Sequence, residues 1–336
     1  MSSTLPIAVD AMSGDRGPAT CVPAALAVLR EDPALELVLV GQPAVVEPLL
    51  AGLDAAARAR VRVLPASQVV AMDERPRDAI RRKKDSSLRR ALDLVAGGEA
   101  SACVSAGNTG ALMATAHFVL GVIPGVERPA IISSIPSAGG HTHMLDLGAN
   151  ASATPDQLFQ FAVMGAVVAA GVHGLERPRV GLLNIGAEDI KGDEIVQAAH
   201  RRLQDSKLEY LGYVEGNDIF GDRVDVVVTD GFTGNVALKT MEGLAKMIGG
   251  ILREEFTAGP VRKLGALAAR PALDAIRGRL DPRRYNGASM VGLAGIVIKS
   301  HGGADETAFA NAVRLGHAEA RKGLPTEIGR QLAEAA

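Results

Sequence analysis

Short apolar runs, each followed by a glycine-containing loop and then a helix-like stretch, recur along this chain and constrain its fold more than any other feature. Several runs are apolar throughout rather than alternating, which is typical of strands covered on both faces of a sheet. Helical periodicity marks 157–172 and 236–255, and Thr154 before Pro155 predicts a helix start. This order predicts an α/β fold with a largely parallel sheet. The predicted strands are Ile7–Asp10, 37–40, Ala102–Ser105, 131–134, 144–147, 180–184, 224–228 and 295–299.

Polar, glycine-rich loops follow five of the predicted strands. Ligands of open α/β sheets bind beyond the carboxyl ends of the strands, where glycine allows backbone N–H groups to approach and a helix N-terminus favours an anion. Gly and Asn are common turn residues, so one such loop is weak support, but five together predict an anion-binding cleft. Asp10 and Asp15 flank the first loop and are interpreted as caps or turn formers. The five loops are 105–110, 146–150, 184–188, 229–235 and 299–303.

Composition narrows the class of protein. Lys and Arg number 36 against 38 Asp and Glu, a net charge of −2, whereas a chain built for bulk nucleic-acid binding is strongly basic. The start of the chain lacks a signal-peptide pattern. The longest apolar run, 161–172, is shorter than the ~20 residues that a transmembrane helix needs. We therefore expect a cytoplasmic protein that binds no nucleic acid.

The motifs of several enzyme classes are missing from the sequence. There is no GxGxxG after the first strand, no GxxxxGK[ST], no GxSxG and no HExxH. Cys21 and Cys103 are not clustered, and Cys103 lies in an apolar run that predicts a packing role. We expect a site of cations and amide donors, with no metal, no cofactor and no covalent nucleophile.

Four basic side chains are candidates for holding an anion. Lys299 and His301 follow a predicted strand and precede Gly302, where site residues concentrate, although a loop hydrogen bond is the alternative for His301. Lys191 stands among acidic residues, so a surface ion pair is an equal alternative. Lys239 lies on the first turns of a predicted helix, where an exposed Lys is common.

Two basic clusters interrupt the near-neutral average. Residues 75–90 include 8 basic and 2 acidic residues, and residues 261–284 include 7 basic and 2 acidic residues. The second cluster carries apolar residues at helical spacing, and prolines divide it into short helices. We expect 251–284 to project as an amphipathic basic helical segment that contacts an anionic membrane surface, with dimer or core packing as an equal alternative. The apolar residues are Leu264, Leu267, Ala268, Leu273, Ile276 and Leu280, and the prolines are Pro260 and Pro271.

Several strings in these loops are long and unusual enough to indicate a family. They are IAVDAM from Ile7, KKDSS from Lys83, SAGNTGAL from Ser105, LDLGAN from Leu145, NIG from Asn184 with Lys191-Gly192, GFTGNVALK from Gly231 and KSHG from Lys299. In this order, from about residue 5 to residue 315, they resemble the bacterial phosphate acyltransferase family of the PlsX type. One departure is Ser13, where the family usually has Gly.

The resemblance implies a fold, a reaction and an assembly. The fold is a three-layer αβα arrangement similar to phosphotransacetylases and to isocitrate and isopropylmalate dehydrogenases, and we expect one unit over 1–336 with two subdomains. The reaction is transfer of a fatty acyl group from acyl-[acyl carrier protein] to inorganic phosphate, forming acyl-phosphate for phospholipid (phosphatidic acid) synthesis. The assembly is a homodimer in peripheral association with the membrane, with a membrane glycerol-phosphate acyltransferase as partner.

Roles for the loop residues follow from this reaction. Lys191, Lys299 and His301 are expected to be catalytic and to hold and orient phosphate, or His301 donates a proton to the departing thiolate. The substrate-binding set supplies phosphate or oxyanion donors and lines the cleft. The cluster 75–90 docks the acidic carrier protein, or Lys84-Asp85-Ser86 reaches into the site. That set comprises Asn108, Thr109, Gly110, Asn150, Asn184, Asp230, Asn235, Lys239 and Lys84.

Two other functions stay open at this point. An oxidoreductase of the dehydrogenase-like αβα fold would need a nicotinamide site and clustered carboxylates, whereas these loops offer Asn and Gly. A non-catalytic membrane-recruitment scaffold would use the basic clusters and leave the five polar loops without a purpose.

Overall fold

Eleven strands and thirteen helices are present in residues 5–335, which the structure, a computed structural model, describes apart from the side chains of residues 277, 280 and 282. The strands are β1 (Ile7–Asp10), β2 (Leu37–Gly41), β3 (Val61–Pro65), β4 (Ala102–Ser105), β5 (Ala130–Ser137), β6 (Gly140–Leu145), β7 (Arg179–Leu183), β8 (Glu209–Val214), β9 (Val226–Val228), β10 (Ala288–Val291) and β11 (Ile296–Lys299). The helices are α1 (Pro18–Glu31), α2 (Pro43–Val46), α3 (Ala55–Ala59), α4 (Pro76–Arg82), α5 (Ser87–Ala96), α6 (Thr109–Leu120), α7 (Pro155–His173), α8 (Glu194–Gln204), α9 (Gly231–Thr257), α10 (Pro260–Ala268), α11 (Arg270–Leu280), α12 (Glu306–Lys322) and α13 (Leu324–Ala335).

The strands form one sheet in the order β3-β2-β1-β4-β11-β10-β5-β6-β9-β7-β8. Seven of the ten neighbouring pairs are parallel, so the prediction of a largely parallel sheet is confirmed. The three antiparallel pairs, β11–β10, β10–β5 and β5–β6, are consecutive. Three successive reversals leave the second half of the sheet (β6, β9, β7, β8) running opposite to the first half (β3, β2, β1, β4, β11).

The opposite directions separate the predicted loops. In a parallel set of strands all carboxyl ends lie at one edge. The loops after β1, β4 and β11 therefore lie at one edge of the sheet; we call them the first loop group. The loops after β6, β9 and β7, the second loop group, lie beyond strands that point the other way. The sequence predicted that the five loops form one cleft at the carboxyl ends of the strands. The antiparallel strands β10 and β5 separate these loops into two groups.

Helices cover both faces of the sheet. In β1, Ile7 and Val9 point into a core shared with α1 and α12, whereas Ala8 points into the opposite core with α5 and α6. The second of these cores also contains Met144 of β6 and Val227 of β9, so it extends across both halves. A third core lies between the second half and the helices α7 and α13. The three-layer αβα arrangement is confirmed.

Helix α7 begins where the sequence predicts. The Thr154 hydroxyl accepts from the Gln157 N–H, and the Gln157 side chain accepts from the Thr154 N–H, both at 3.1 Å, in a capping box. The helix ends at His173 and is capped by Gly174, which adopts the left-handed conformation. Among the described residues α7 is the one helix long and apolar enough to span a membrane, but 67% of its apolar 18-residue stretch is buried. Phe161 and Met164 are fully buried, as in a core helix.

Helices α9, α10 and α11 carry few buried residues. Of the 27 residues of α9, the buried ones are Gly231 and Gly234, and α10 has none. Helix α10 begins at Pro260, and Pro271 lies in the first turn of α11, as the spacing of prolines predicts. The apolar face of α10 is open to solvent, with Leu264 67% exposed. The predicted stripe continues to Leu280, whose side chain lies outside the described residues.

Candidate active site

A hydrogen-bond network joins the β1 and β4 loops at the carboxyl edge of the first half. The carboxylate of Asp10, at the end of β1, is buried, and its Oδ2 accepts from the Ser105 hydroxyl at 2.7 Å. Burial raises the pKa of Asp10, although its hydrogen bonds act in the opposite direction. The Ser13 hydroxyl donates to the Asp10 carbonyl oxygen at 2.7 Å and accepts from the Ala106 N–H at 2.9 Å. Ser13, the departure from the family pattern, therefore links the two loops through its hydroxyl. Glycine at this position has no side chain and could not make these bonds.

The β1 loop also lies directly against the loop after β11. The Asp15 N–H donates to the Gly302 carbonyl oxygen at 2.9 Å. Gly14 has a φ of +81°, and a Cβ at this position would lie 3.0 Å from the same oxygen. A side chain at residue 14 is excluded by both conformation and space, so glycine permits the close approach of the two loops.

Lys299, the last residue of β11, is a buried cation, with 9% of the residue exposed. Its ammonium group donates to the carbonyl oxygens of Ser300 and Ala106. Burial lowers the pKa of Lys299 to about 8, the charge of Asp15 raises it and the charge of Lys239 lowers it. Within the described residues the ammonium bonds to carbonyl oxygens, and a partly desolvated ammonium of this kind is well suited to bind an anion.

His301 extends from the same loop into solvent. Its backbone N–H donates to Asn286 Oδ1, and its ring Nδ1 accepts from the Gly303 N–H, both at 3.0 Å. A neutral ring that accepts at Nδ1 carries its proton on Nε2. The loop therefore orients His301 so that it presents an N–H donor.

The β4 loop leads into the N-terminus of α6. Asn108 Oδ1 accepts from the Ala111 N–H at 2.9 Å and caps the helix, while Nδ2 donates to the carbonyl oxygens of Met72 at 2.6 Å and Glu74 at 3.2 Å. Thr109 and Gly110 are exposed at this helix end. The amide of Asn108 is thus occupied in positioning and takes up the Ala111 N–H, whereas Thr109 and Gly110 remain exposed at the same helix end.

In the second loop group, one carboxylate organises the loop after β6. Asp146 is completely buried; its Oδ1 accepts the N–H groups of Ile131, Gly148 and Ala149 at 3.0–3.1 Å. Its Oδ2 accepts the backbone N–H of Asn150 at 2.7 Å and the side-chain Nδ2 at 3.0 Å. Asn150 Nδ2 also donates to a backbone carbonyl oxygen, and the residue is 6% exposed. Asn150, predicted to bind substrate, is placed by the structure within the framework of this loop.

The start of α9 lies against this loop. A Cβ on Gly234 would overlap the carbonyl oxygen of Asp146, so the helix approaches closely. Asp230 caps α9 by accepting from the Thr233 N–H at 2.9 Å and the Thr233 hydroxyl at 2.8 Å. Asn235 and Lys239 are exposed further along the helix.

Lys239, on α9 in the second half, acts electrostatically on Lys299 in the first half. Its ammonium pairs with Glu242 at 2.9 Å on the exposed face of α9, yet its charge still lowers the pKa of Lys299. Helix α9 thus brings a cation from the second half towards the first loop group.

The loop after β7 presents Lys191. Asn184 Nδ2 donates to the Lys191 carbonyl oxygen at 3.1 Å, so the amide of Asn184 holds the loop. The Lys191 side chain is exposed and passes close to Gly186. None of the ion pairs found between residues 5 and 335 includes Lys191, so the surface ion pair considered from the sequence is not formed.

The turn between α4 and α5 contains Lys84, which is exposed. Its neighbours fix the turn: Lys83 pairs with Glu74 at 2.6 Å, and Asp85 pairs with Arg90 at 2.8 Å. Hydrogen bonds from Ser67 and Arg90 lower the pKa of Asp85 to about 2. An open cavity of about 630 Å³ borders this region and is lined by Gln68, Ala71, Asp73, Glu74, Arg75, Asp78, Arg82 and Lys83.

Comparison with known proteins identifies the family. A model described as "Fatty acid synthesis protein" matches residues 5–326. The chain belongs to this family. A phosphate acyltransferase from Alkalilimnicola ehrlichii is 55% identical over 332 residues, which are 99% of this chain and 97% of that protein. One from Methylococcus capsulatus is 54% identical over 98% of this chain and 97% of its own. The resemblance to the PlsX-type family is confirmed, and the chain is an acyltransferase.

Solved structures of more distant proteins share the fold. A phosphotransacetylase from Streptococcus pyogenes superimposes with a TM-score of 0.61 at 16% identity, covering 96% of this chain and 95% of its own. A structure described as a putative 4-hydroxythreonine-4-phosphate dehydrogenase from Salmonella typhimurium superimposes with a TM-score of 0.51 at 15% identity. The match covers 94% of this chain and 99% of that protein's chain. At these identities the comparison concerns the fold alone, and it supports the predicted likeness to phosphotransacetylases and to dehydrogenase-like folds.

The acyltransferase fold brings part of the predicted set together. Lys299, His301, Thr109 and Gly110 belong to the first loop group, and Lys239 approaches it from α9. The second loop group contains Lys191, Asn184, Asn150, Asp230 and Asn235. Lys84 lies in the turn between α4 and α5, next to Lys83, which lines the cavity. The sequence missed the organising residues Asp146, Ser105 and Asn286. For Asp146 a signal existed, because this carboxylate at a predicted strand end is followed by the small residues Gly148 and Ala149, whose backbone N–H groups it accepts. For Asn286 the sequence contained no such signal.

Proposed function

We propose that this acyltransferase transfers a fatty acyl group from acyl-[acyl carrier protein] to inorganic phosphate and forms an acyl phosphate for phospholipid synthesis. Acyl transfer to phosphate is supported by the names of the relatives, and a place in fatty acid synthesis by the family. The observation that carries the choice of site is the buried ammonium of Lys299, next to His301 and the N-terminus of α6.

Inorganic phosphate supplies the nucleophile in this proposal. Burial raises the pKa of Cys21 to about 12 and holds that of Cys103 well above its ordinary value, so both thiols stay protonated at neutral pH. A phosphate oxygen attacks the carbonyl carbon of the thioester. The new C–O bond forms, the C–S bond breaks, and the carrier leaves as a thiolate that takes up a proton. Holding the two substrates in contact supplies much of the rate.

The named residues divide into binding and positioning roles. Lys299 and Lys239 attract the phosphate, and the Thr109 hydroxyl with the first N–H groups of α6 stabilises the oxyanion on the thioester carbonyl. His301 Nε2–H binds a phosphate oxygen or protonates the departing thiolate. Lys191 adds a cation from the second loop group. Asn108, Asn150, Asn184 and Asp230 act as positioning residues, since their side chains bond to the backbone.

The basic cluster 75–90 is the proposed docking surface for the acidic carrier protein. Arg75, Arg77, Arg81 and Lys84 are exposed, and none of them is in the ion pairs found within the described residues. The residues immediately before this cluster are tied to the site, because Asn108 bonds to the backbone of Met72 and Glu74. A carrier bound here would deliver its thioester beside α6.

Helices α9, α10 and α11 are proposed to serve assembly and membrane contact. The apolar face of α9 would be covered in the homodimer. In α10, Leu264 and Leu267 are 67% and 64% exposed, next to Arg262 and Lys263. A basic amphipathic tip of this kind suits peripheral association of a cytoplasmic enzyme with anionic lipid, close to a membrane glycerol-phosphate acyltransferase.

Leu264→Glu should reduce sedimentation with anionic vesicles about tenfold while acyl transfer in solution stays within twofold of wild type, because the change places a negative charge on the lipid-facing stripe. Leu49→Glu, at an exposed apolar residue away from α10, is the control. Wild-type vesicle binding by the Leu264 variant, or its dissociation to monomers, would assign α10 to packing.

Release of free thiol from acyl-[acyl carrier protein] tests the main proposal. Thiol release should depend on inorganic phosphate, saturate with it and yield hydroxylamine-reactive acyl phosphate in equal amount. Release at the same rate without phosphate would exclude the reaction. Oxidation of reduced nicotinamide in the presence of candidate acids would support the oxidoreductase instead.

A further inference from the structure

Three histidines converge at the end of β6 remote from the Asp146 loop. His141 and His143 are two residues apart on β6, so both point to the face that packs against α7. Helix α7 runs back along β6, and Gly165 lies over Leu145. From Gly165 the helix advances about 12 Å to His173, and from Leu145 the strand goes back about 13 Å to His141. The fold therefore places the last residue of α7 over the two strand histidines.

The three imidazoles are in direct contact. The ring centroids of His141 and His173 are 3.7 Å apart, those of His143 and His173 are 4.8 Å apart, and those of His141 and His143 are 5.5 Å apart. One ring nitrogen from each histidine lies within 4.8 Å of the other two. Bonds of about 2.1 Å from nitrogen to a tetrahedral metal separate the nitrogens by about 3.4 Å, which small rotations of the side chains would reach.

His143 is arranged as a metal ligand is. It is 4% exposed, and its Nε2 has no hydrogen-bond partner among the described residues, although it is buried. Its Nδ1 lies 3.4 Å from the Ser134 hydroxyl. A histidine that binds a metal through one nitrogen commonly donates its other N–H to an oxygen, which fixes the ring. Ser134 supplies that oxygen.

The surroundings favour a cation. The C-terminus of α7 directs the negative end of its dipole towards the cluster. Asp225, held by Arg179 at 2.9 Å, adds a negative charge that acts on His141 and His143.

We propose that His141, His143 and His173 form a binding site for a late first-row divalent metal ion such as Zn²⁺. Imidazole is a preferred ligand for this class of ion. His173 is exposed, so the fourth coordination position opens to solvent. The ion joins β6 to the C-terminus of α7 and stabilises the second half. It takes no part in acyl transfer in this proposal, because none of its three ligands, on β6 and at the end of α7, belongs to either loop group.

The test uses the full chain without an affinity tag, stripped with a chelator and titrated with ZnCl₂ by calorimetry. Wild type should bind one ion per chain at micromolar or lower concentration, and Co²⁺ should give the visible bands of a tetrahedral nitrogen site. His173→Gln should weaken zinc binding at least 100-fold. His117→Gln, at an exposed histidine on α6, should bind as wild type does.

Folding and activity complete the test. His173 is exposed, so its variant should keep the wild-type circular dichroism and stripped-state melting temperature. Zinc should raise the melting temperature of wild type and not that of His173→Gln. Thiol release should be the same in stripped and zinc-loaded enzyme, which separates this proposal from the acyl-transfer proposal. Absence of a stoichiometric site in wild type, or unchanged zinc affinity in His173→Gln, would overturn it.

Discussion

The first and second loop groups have similar sequences rich in Gly, Asn and Asp, yet they use their polar side chains differently. In the first group, backbone carbonyl oxygens and serines hold the loops, and Lys299 and His301 keep donors available to a ligand. In the second group, Asp146 and Asn150 spend their hydrogen bonds on the loop itself. A polar strand-end loop is thus a better candidate for a site when it keeps side-chain donors free after its backbone is held, as Lys299 and His301 do.

Replacing Asp146 should have the largest effect, because it removes the support of the second loop group. Asp146→Ala leaves five N–H donors without their buried acceptor, so we expect the free energy of unfolding to fall by about 3–5 kcal/mol. Urea denaturation measures the change. Asp205→Ala, at an exposed carboxylate, should stay within about 0.5 kcal/mol of wild type. Equal stability of the two variants would show that Asp146 does not organise the loop.

Neutralising one lysine in each group tests which group carries the chemistry. Lys299→Met should lower kcat/KM about 10²–10³-fold, because a buried charge near the developing anion is lost. Lys191→Met should lower it about tenfold, since solvent and salt screen an exposed charge. Thiol-release kinetics at several phosphate concentrations measure both. A larger loss for Lys191 would move the chemistry to the second group.

The pH profile sharpens the assignment to Lys299. Its pKa of about 8 means that the cation is lost as pH rises through 8, so kcat/KM should then fall about tenfold per pH unit. Lys299→Arg should move this decline to higher pH, because guanidinium stays charged. A wild-type profile that is flat from pH 7 to 10 would contradict the role of a titrating Lys299.

The smallest expected effect concerns the junction between the halves, where Ser289 of β10 donates to the buried carboxyl of Glu319 at 2.9 Å. Burial raises the pKa of Glu319 to about 8, so the folded state keeps a proton that the unfolded state releases above about 4.5. The free energy of unfolding therefore falls as pH rises from 4.5 to 8.

Glu319→Gln does not titrate and should be more stable than wild type by about 1–3 kcal/mol at pH 8, with little difference at pH 5. Thermal denaturation at the two pH values measures it. A difference that is independent of pH would mean that the carboxyl stays charged in the folded protein.

Most of the buried elements could be predicted from the sequence, and the exceptions have physical reasons. The prediction missed β3 and β8, the edge strands, because polar residues such as Arg62 and Glu209 interrupt their apolar pattern. It missed β10 because Ser289 is polar, although the bond to Glu319 satisfies its buried hydroxyl. It extended a strand to residue 147, whereas Asp146 leaves the sheet to accept the loop N–H groups.

The candidate site was less accessible to sequence reasoning than the fold. Strand positions follow from hydrophobicity, but hydrophobicity contains no information on strand direction, so the separation of the loops into two groups was not predictable. Which amides stay free depends on contacts with distant residues, as when Asn108 bonds to Met72 and Glu74. Those contacts exist only in three dimensions.

The position of β11 determines when a newly made chain can acquire activity. Strand β11 lies between β4 and β10, although about 190 residues separate it from β4 along the chain, a synthesis time of about 10–40 s at ribosomal rates. Until then the inner edge of β4 has no partner and invites pairing with other chains. Lys299 and His301 arrive with that last strand. A truncated nascent chain therefore displays the basic cluster 75–90, the proposed carrier-docking surface, without the Lys299 cation of the proposed site.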